Sequence, residues 1–276
     1  AKTAVEILNI TLTKRGATPM CGIPHHAADN YIGKLLQAGR KVAMCEQTEE
    51  ARPGKLVNRE VTQILSPGTH FDEKMLAAER NNYLAALSRN GKAYGLAVID
   101  LTTGDFKTTE IGTIDALQTE IDRLKPAEIV HPAGDSRLTE SLTNIRAVLN
   151  EHEDWVFARD SAEYTLCDHF GVQSLDGFGL KNRPAAIGAA GGALHYLVNT
   201  LRRDVTHLHR LVFYQDSEFL TLDATTLRNL EILEPLTRDS PNAACLYYAV
   251  NHTVTPMGAR RLRDWLTQPL TDTIAI

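Results

Sequence analysis

Cys21-Gly-Ile-Pro-His-His-Ala-Ala-Asp-Asn-Tyr31 lies at the centre of a stretch, Leu8 to Arg59, whose reading decides the fold. Pro24 has its φ fixed by its ring and suits the entry to a helix. From Ala27 the apolar residues fall at Ala27/Ala28, Tyr31/Ile32 and Leu35/Leu36, a spacing of four that sets one helix face on a core. Gly39 supplies the stop, and Arg40 to Gln47 then reads as extended. Ahead of the helix, Leu12-Thr-Lys-Arg-Gly16 is a basic pair ending on a glycine. The opening of a helix offers unpaired N–H groups and a partial positive charge, both suited to phosphate. With Lys14 and Arg15 leading in, two readings stand: a small α/β unit with ordinary surface cations, or a surface that contacts a phosphate backbone.

Outward from this stretch, Arg59 to Leu65 is a second strand beside Arg40 to Gln47, with Arg52-Pro-Gly-Lys55 as the loop between them. Ser66-Pro-Gly68 breaks the chain, and Asp72 to Arg80 reads as a short polar helix or linker. Tyr83 to Leu87 and Tyr94 to Leu101 are strand-like, and Phe106, Thr108 and Glu110 alternate after a turn at Thr102-Thr-Gly-Asp105. A helical pattern runs from Ile114 to Leu124 and is stopped by Pro126. Short strands follow at Glu128 to His131 and Arg146 to Leu149. Strands alternating with helices indicate an α/β layer domain. Its longest helix is Ala185 to Leu201, whose small residues allow close backbone packing. Further on, Asp223 can cap a helix with Leu227, Leu230 and Leu233 on its inner face, ended by Pro235. The last helix, Gly258 to Leu266, is expected to carry Leu262, Trp265 and Leu266 inward, with Arg260, Arg261 and Arg263 around the rest. The resulting units are 1–67, a linker 68–80, 81–205, and 206–276.

The net charge of −5 is unevenly spread: residues 1–59 hold nine Lys/Arg against five Asp/Glu, and the remainder twenty against twenty-nine. A polyanion would be met by the basic front. No run approaches eighteen apolar residues and no signal-peptide pattern opens the chain, so a soluble, cytoplasmic protein without membrane contact is expected. Cys21, Cys45, Cys167 and Cys245 form no C-x-x-C pair, which argues against a disulfide framework or a zinc site.

Gly188-Ala-Ala-Gly-Gly192 lacks the Lys and Ser/Thr that a phosphate loop needs after its last glycine, so it is assigned to packing. His25 and His26 are adjacent and would point about 100° apart on a helix, a poor geometry for shared metal ligation. Asp100, closing Leu96-Ala-Val-Ile-Asp100, could anchor a metal-dependent nuclease only if other carboxylates such as Asp105 and Asp115 converged on it. No catalytic residue and no metal ligand is therefore assigned.

Leu12-Thr-Lys-Arg-Gly16, Cys21-Gly-Ile-Pro-His-His-Ala27 and Val42-Ala-Met-Cys-Glu-Gln47 resemble the mismatch-binding domain of the MutS family of DNA mismatch-repair proteins. Further segments match that family in the same order: Arg59-Glu-Val-Thr-Gln-Ile-Leu-Ser-Pro-Gly-Thr69, Leu175-Asp-Gly-Phe-Gly179, Leu222-Asp-Ala-Thr-Thr-Leu-Arg-Asn-Leu-Glu231 and Val254-Thr-Pro-Met-Gly-Ala-Arg260. The resemblance implies a multidomain α/β fold. Residues 1–67 would be the rear of a mismatch-binding domain, 81–205 an RNase H-like connector without nuclease activity, and 206–276 the start of an all-α lever or core domain. It implies duplex DNA with mispairs or small loops as ligand, gripped from the minor-groove side. Arg15 and Arg59 would lie at the backbone, with Lys14, His26 and Lys55 as neighbours. It implies docking of MutL on the connector and a homodimer in the full-length protein. ATP and Mg²⁺ would bind in a further domain beyond Ile276, so no cofactor is expected here. The chain looks cut at both ends, the loop between Gly16 and Pro19 is shorter than the family's, and the Phe-x-Glu motif that reads a mispair would precede Ala1. A metal-dependent nuclease built on Asp100, and a module that only docks protein partners, are the alternatives.

Overall fold

The computed structural model describes residues 1–50, 57–69, 80–143, 145–215, 219–220, 222–237 and 244–272. The expected loop around Lys55 and the polar segment from Asp72 to Glu79 lie outside the described residues.

The front lobe holds α1 (Lys2–Leu8), a hairpin of β1 (Thr13–Arg15) and β2 (Thr18–Met20), α2 (Ala28–Gln37), and a ribbon of β3 (Val42–Gln47) and β4 (Arg59–Leu65). As the apolar spacing requires, α2 buries Ile32 and Leu36. Gly39, at φ +72°, reverses the chain into β3, a conformation that glycine adopts without a Cβ penalty. β3 and β4 run antiparallel from Val42↔Leu65 to Gln47↔Arg59, with a bulge between Met44 and Cys45.

Next comes a mixed sheet built on an antiparallel meander of β5 (Leu84–Asn90), β6 (Ala93–Asp100) and β7 (Asp105–Ile111). The chain continues through α3 (Ile114–Leu124), β8 (Glu128–Pro132), α4 (Ser136–Ser141), β9 (Val148–His152), α5 (Arg159–Phe170), α6 (Pro184–His195) and β10 (Val212–Phe213). β8 lies parallel to β5, β9 to β8, and β10 to β7, giving the order β10-β7-β6-β5-β8-β9. Numbered within this sheet, its first five strands stand in the order 3-2-1-4-5, so the meander lies beside a parallel pair in a mixed α/β layer.

The alternation of strand side chains fills a core on each face of this sheet. Ala86, Ala97, Ile99, Phe106 and Val130 meet α5 and α6 on one side. Ala85, Leu87, Leu96, Val98 and Ile129 meet Leu117 and Ile121 of α3 and Leu138 of α4 on the other. The glycines of α6 are there for packing, as expected. A Cβ added at Gly188 would stand 2.6 Å from the Phe157 carbonyl oxygen, and one at Gly191 2.4 Å from the Ala162 Cβ. The α6 rod ends in a wider turn, Tyr196–Thr200, instead of continuing as α-helix to Leu201. The layer also runs past residue 206, since Leu208 and Leu211 belong to its core and β10 to its sheet.

The last part holds α7 (Ala224–Asn229), α8 (Leu246–Val250) and α9 (Pro256–Thr267). Asp223 caps α7 as expected, accepting from the Thr226 N–H at 2.6 Å. The helix stops at Asn229 rather than Pro235, because Glu231 takes φ 50°, and Leu230 is exposed. The face of α9 is rotated from expectation. Trp265 is 61% exposed, while Arg260, Arg263 and Asp264 turn toward the sheet. The reason is the polar strand end on which α9 sits. The Arg260 Nη1 lies 3.2 Å from Thr102 Oγ1 and 4.0 Å from Asp100 Oδ2, and Lys107 Nζ is 3.7 Å from Asp264. Among the described residues no helix is long and apolar enough to cross a membrane.

Candidate nucleic-acid interface

The hairpin turns at Gly16, φ +63°, with Lys14 opposite Pro19, Arg15 opposite Thr18 and Thr13 opposite Met20. The Thr13 hydroxyl donates to the Met20 carbonyl at 3.1 Å, which ties the open end. Every residue from 11 to 20 is exposed, so the ribbon projects into solvent on both faces. Successive strand residues point to opposite faces, so Lys14 and Arg15 are presented on different sides of the hairpin. Arg15 shares its face with Thr13, Thr18 and Met20. Among the described residues neither cation is held in an ion pair, leaving both charges available to an external anion.

His26 lies in the short helical turn His25–Ala27 that Pro24 leads into, and it is exposed. The α2 helix that follows has no side-chain cap at its start, in line with an anion-suited opening. Asp29 in its first turn supplies a carboxylate there, which partly fills that role from within the chain.

Arg59 opens β4 opposite Gln47 and is exposed. The register places it on the face of Cys45 and Val61, while Glu46 and Glu60, directly opposite each other, take the other face. The ribbon therefore separates its one strand-end cation from a pair of carboxylates. The candidates divide into three places: Lys14 and Arg15 on the hairpin, His26 at the entry to α2, and Arg59 at the tip of the ribbon. No hydrogen bond among the described residues joins them, and Lys55 lies outside the described residues.

The carboxylate that suggested a nuclease is occupied. Asp100 is fully buried, and its Oδ1 accepts from the Thr102 N–H at 2.8 Å and hydroxyl at 2.5 Å. Its Oδ2 accepts from the Asn82 N–H at 3.2 Å. Asp105 is engaged by the Tyr83 hydroxyl and by Lys107 at 2.6 Å, and Asp115 is an exposed residue in the first turn of α3. These groups shape the β6–β7 turn and its contact with α9. Among the described residues no three His, Cys, Asp or Glu gather as metal ligands, and Cys21, His25 and His26 are no exception.

Two features escaped the reading of the sequence. One is Glu128, a fully buried carboxylate at the head of an apolar strand. The other is Arg202-Arg203, whose guanidinium groups reach back to β4. The available signal for the first was a lone acid opening a strand in which every other residue is apolar or histidine.

Family models for MutS domain I, MutS domain II and MutS domain III match residues 1–74, 82–209 and 225–276. The chain is 42% identical over 280 residues to a DNA mismatch repair protein MutS of Solibacter usitatus, covering 98% of the chain and 32% of that relative. It is 40% identical over 284 residues to the MutS of Salinibacter ruber, covering 99% and 31%. It is 42% identical over 278 residues to that of Myxococcus xanthus, covering 97% and 31%. The chain spans about a third of the length of the curated relatives it matches.

Proposed function

Because the chain belongs to the MutS family of DNA mismatch-repair proteins, we propose that its front lobe holds the sugar–phosphate backbone of duplex DNA carrying mispairs or small loops. The observation that carries this reading is the state of Arg15 and Arg59. Both stand in solvent, on the tips of two ribbons, free of any ion pair among the described residues. Lys14 on the same hairpin as Arg15, His26 exposed at the entry to α2, and Lys55 complete the proposed set of contacts. In this reading residues 68–80 link the lobe to a connector that begins at 81 and runs on through β10, and the residues after it open the lever. The connector docks MutL, the full-length protein works as a cytoplasmic homodimer, and ATP with Mg²⁺ acts in a domain outside this chain. This chain by itself hydrolyses no ATP and binds DNA weakly, with strong salt dependence and without regard to mispairing.

The test is a titration of matched and G·T-containing duplexes at several salt concentrations, with Arg15→Ala and Arg59→Ala alongside. A preference below tenfold, about 1.4 kcal/mol, is expected. Each substitution should weaken binding to both duplexes alike and reduce the salt slope by about 0.9 for every phosphate it leaves without a cation. A larger preference overturns the mispair-blind reading. Unchanged affinity and slope in both variants overturns the backbone contact and favours a module that docks protein partners.

A further inference from the structure

Glu128 opens β8 with its side chain fully buried. A carboxylate withdrawn from water is tolerated only where donors and counter-charges replace its hydration. Here they come from several segments at once. The Tyr196 hydroxyl, at the end of α6, donates to Oε1 at 2.6 Å, and the Asn150 amide, on β9, donates to the same oxygen at 2.8 Å. The Gly68 N–H, in the turn that follows β4, donates to Oε2 at 3.2 Å. The front lobe adds a cation, since Lys41 Nζ lies 5.1 Å from the centre of the Tyr196 ring. Burial there lowers the pKa of that ammonium, and the Glu128 carboxylate works in the opposite direction.

The surrounding contacts make this a joint between two units. The Ile64 N–H of β4 donates to the Leu201 carbonyl at 2.9 Å, five residues beyond Tyr196. Arg202 Nη1 donates to the Val61 carbonyl at 2.5 Å, and Arg203 Nη1 to the Gln63 side-chain oxygen at 2.6 Å. Gly68 sits so close to the sheet that an added Cβ would meet the Leu84 Cα at 3.1 Å and the Glu128 Cβ at 3.2 Å. The strand that begins at Arg59 is thus pinned, from Val61 to Ile64, to residues 201–203 just past the turn that ends α6.

We propose that Glu128 is a positioning residue: by gathering Gly68, Tyr196 and Lys41 around one buried carboxylate, it sets the orientation of the β3–β4 ribbon, and so of Arg59, on the connector sheet. The consequence for DNA rests on the function proposed above, whereas the joint itself does not. Amide hydrogen exchange of the wild-type chain, Glu128→Gln and Tyr196→Phe separates the two. Glutamine keeps the shape but turns an NH₂ toward one of the existing donors, and phenylalanine keeps the ring but removes the hydroxyl. The Ile64 amide is expected to exchange at least tenfold faster in both variants, while the amides of β6 keep their wild-type rates. An unchanged Ile64 rate overturns the proposal. Equal acceleration at β6 also overturns it, because Glu128 would then only stabilise the sheet as a whole. In a second arm, Tyr196→Phe should bind a matched duplex at least threefold more weakly than wild type. Equal affinity alongside faster Ile64 exchange overturns the link from joint to DNA. A wild-type chain that binds no duplex at low salt defeats the function proposed above, and the exchange arm still decides the role of Glu128.

Discussion

Gly95 offers a sharp test of how α6 seats on the sheet. A Cβ built on this residue of β6 would stand 1.9 Å from the Ala185 carbonyl oxygen and 2.3 Å from its carbon. An ordinary contact begins near 3.4 Å, so Gly95→Ala requires a separation of about 1.5 Å (3.4 less 1.9). The obstacle is helix backbone and cannot rotate away. It is also anchored, because the Ser88 hydroxyl donates to the Ala185 carbonyl at 2.5 Å and the Ala185 N–H donates to Glu110 at 3.0 Å. Overpacking of this kind costs about 1–3 kcal/mol, and straining the Ser88 bond adds about 1 kcal/mol. A total near 3 kcal/mol corresponds to a fall in Tm of roughly 6–12 °C for a unit of this size. Gly112→Ala is the control: nothing lies within 4 Å of its added Cβ and its φ is not positive, so it should stay within about 1 kcal/mol of wild type. Thermal melts followed by circular dichroism compare the three proteins. A Gly95→Ala melt within roughly 2 °C of wild type would refute the close seating of α6 and the account of its small residues as packing.

Two further outcomes follow from the same geometry. His152 and His195 lie 3.3 Å apart, and burial holds both below the ordinary histidine value of 6.5; Lys41 adds to this for His152, His152 adds to it for His195, and Glu153 opposes it in both. The unfolded chain therefore binds protons more readily than the folded one. Their contribution to stability is present above about pH 6.5 and is lost as the pH falls through the lowered folded values. Urea midpoints should decline between pH 7 and 5 more steeply in wild type than in His195→Gln, and equal slopes would count against this. For Asp100, whose oxygens are taken by Asn82 and Thr102, no cleavage of DNA or RNA is expected with Mg²⁺ or Mn²⁺; activity that disappears in Asp100→Asn would reverse the structural assignment.

Periodicity bounded by Gly or Pro carried most of the legible fold. α2 before Gly39, β4 before Ser66-Pro67 and α3 before Pro126 all emerge where expected. Elements without such a pattern were harder to see. α5 buries only Ala162 and Leu166 among its twelve residues, and the hairpin strands bury nothing, so neither shows a face to a sequence pattern. α9 was legible as a helix but not in its rotation, because its partner surface is polar and draws Arg260 and Asp264 inward past Trp265. Of the proposed interface, the solvent position of Lys14, Arg15, His26 and Arg59 follows from their polarity. The Glu128 joint does not, since its three donors come from residues 60, 22 and 68 positions away.

Both rims of the six-stranded sheet discourage growth. On one side β10 covers the edge of β7 with a stub of only two residues, too short to template a newcomer. On the other, β9 is only five residues long and exposes the Glu151 carboxylate, so an invading chain would have to dock beside a charge. Unpaired edges are where folded proteins polymerise, and short or charged margins are a common safeguard. A sheet with such margins gives its own copies little backbone to pair with and so resists recruitment into fibres.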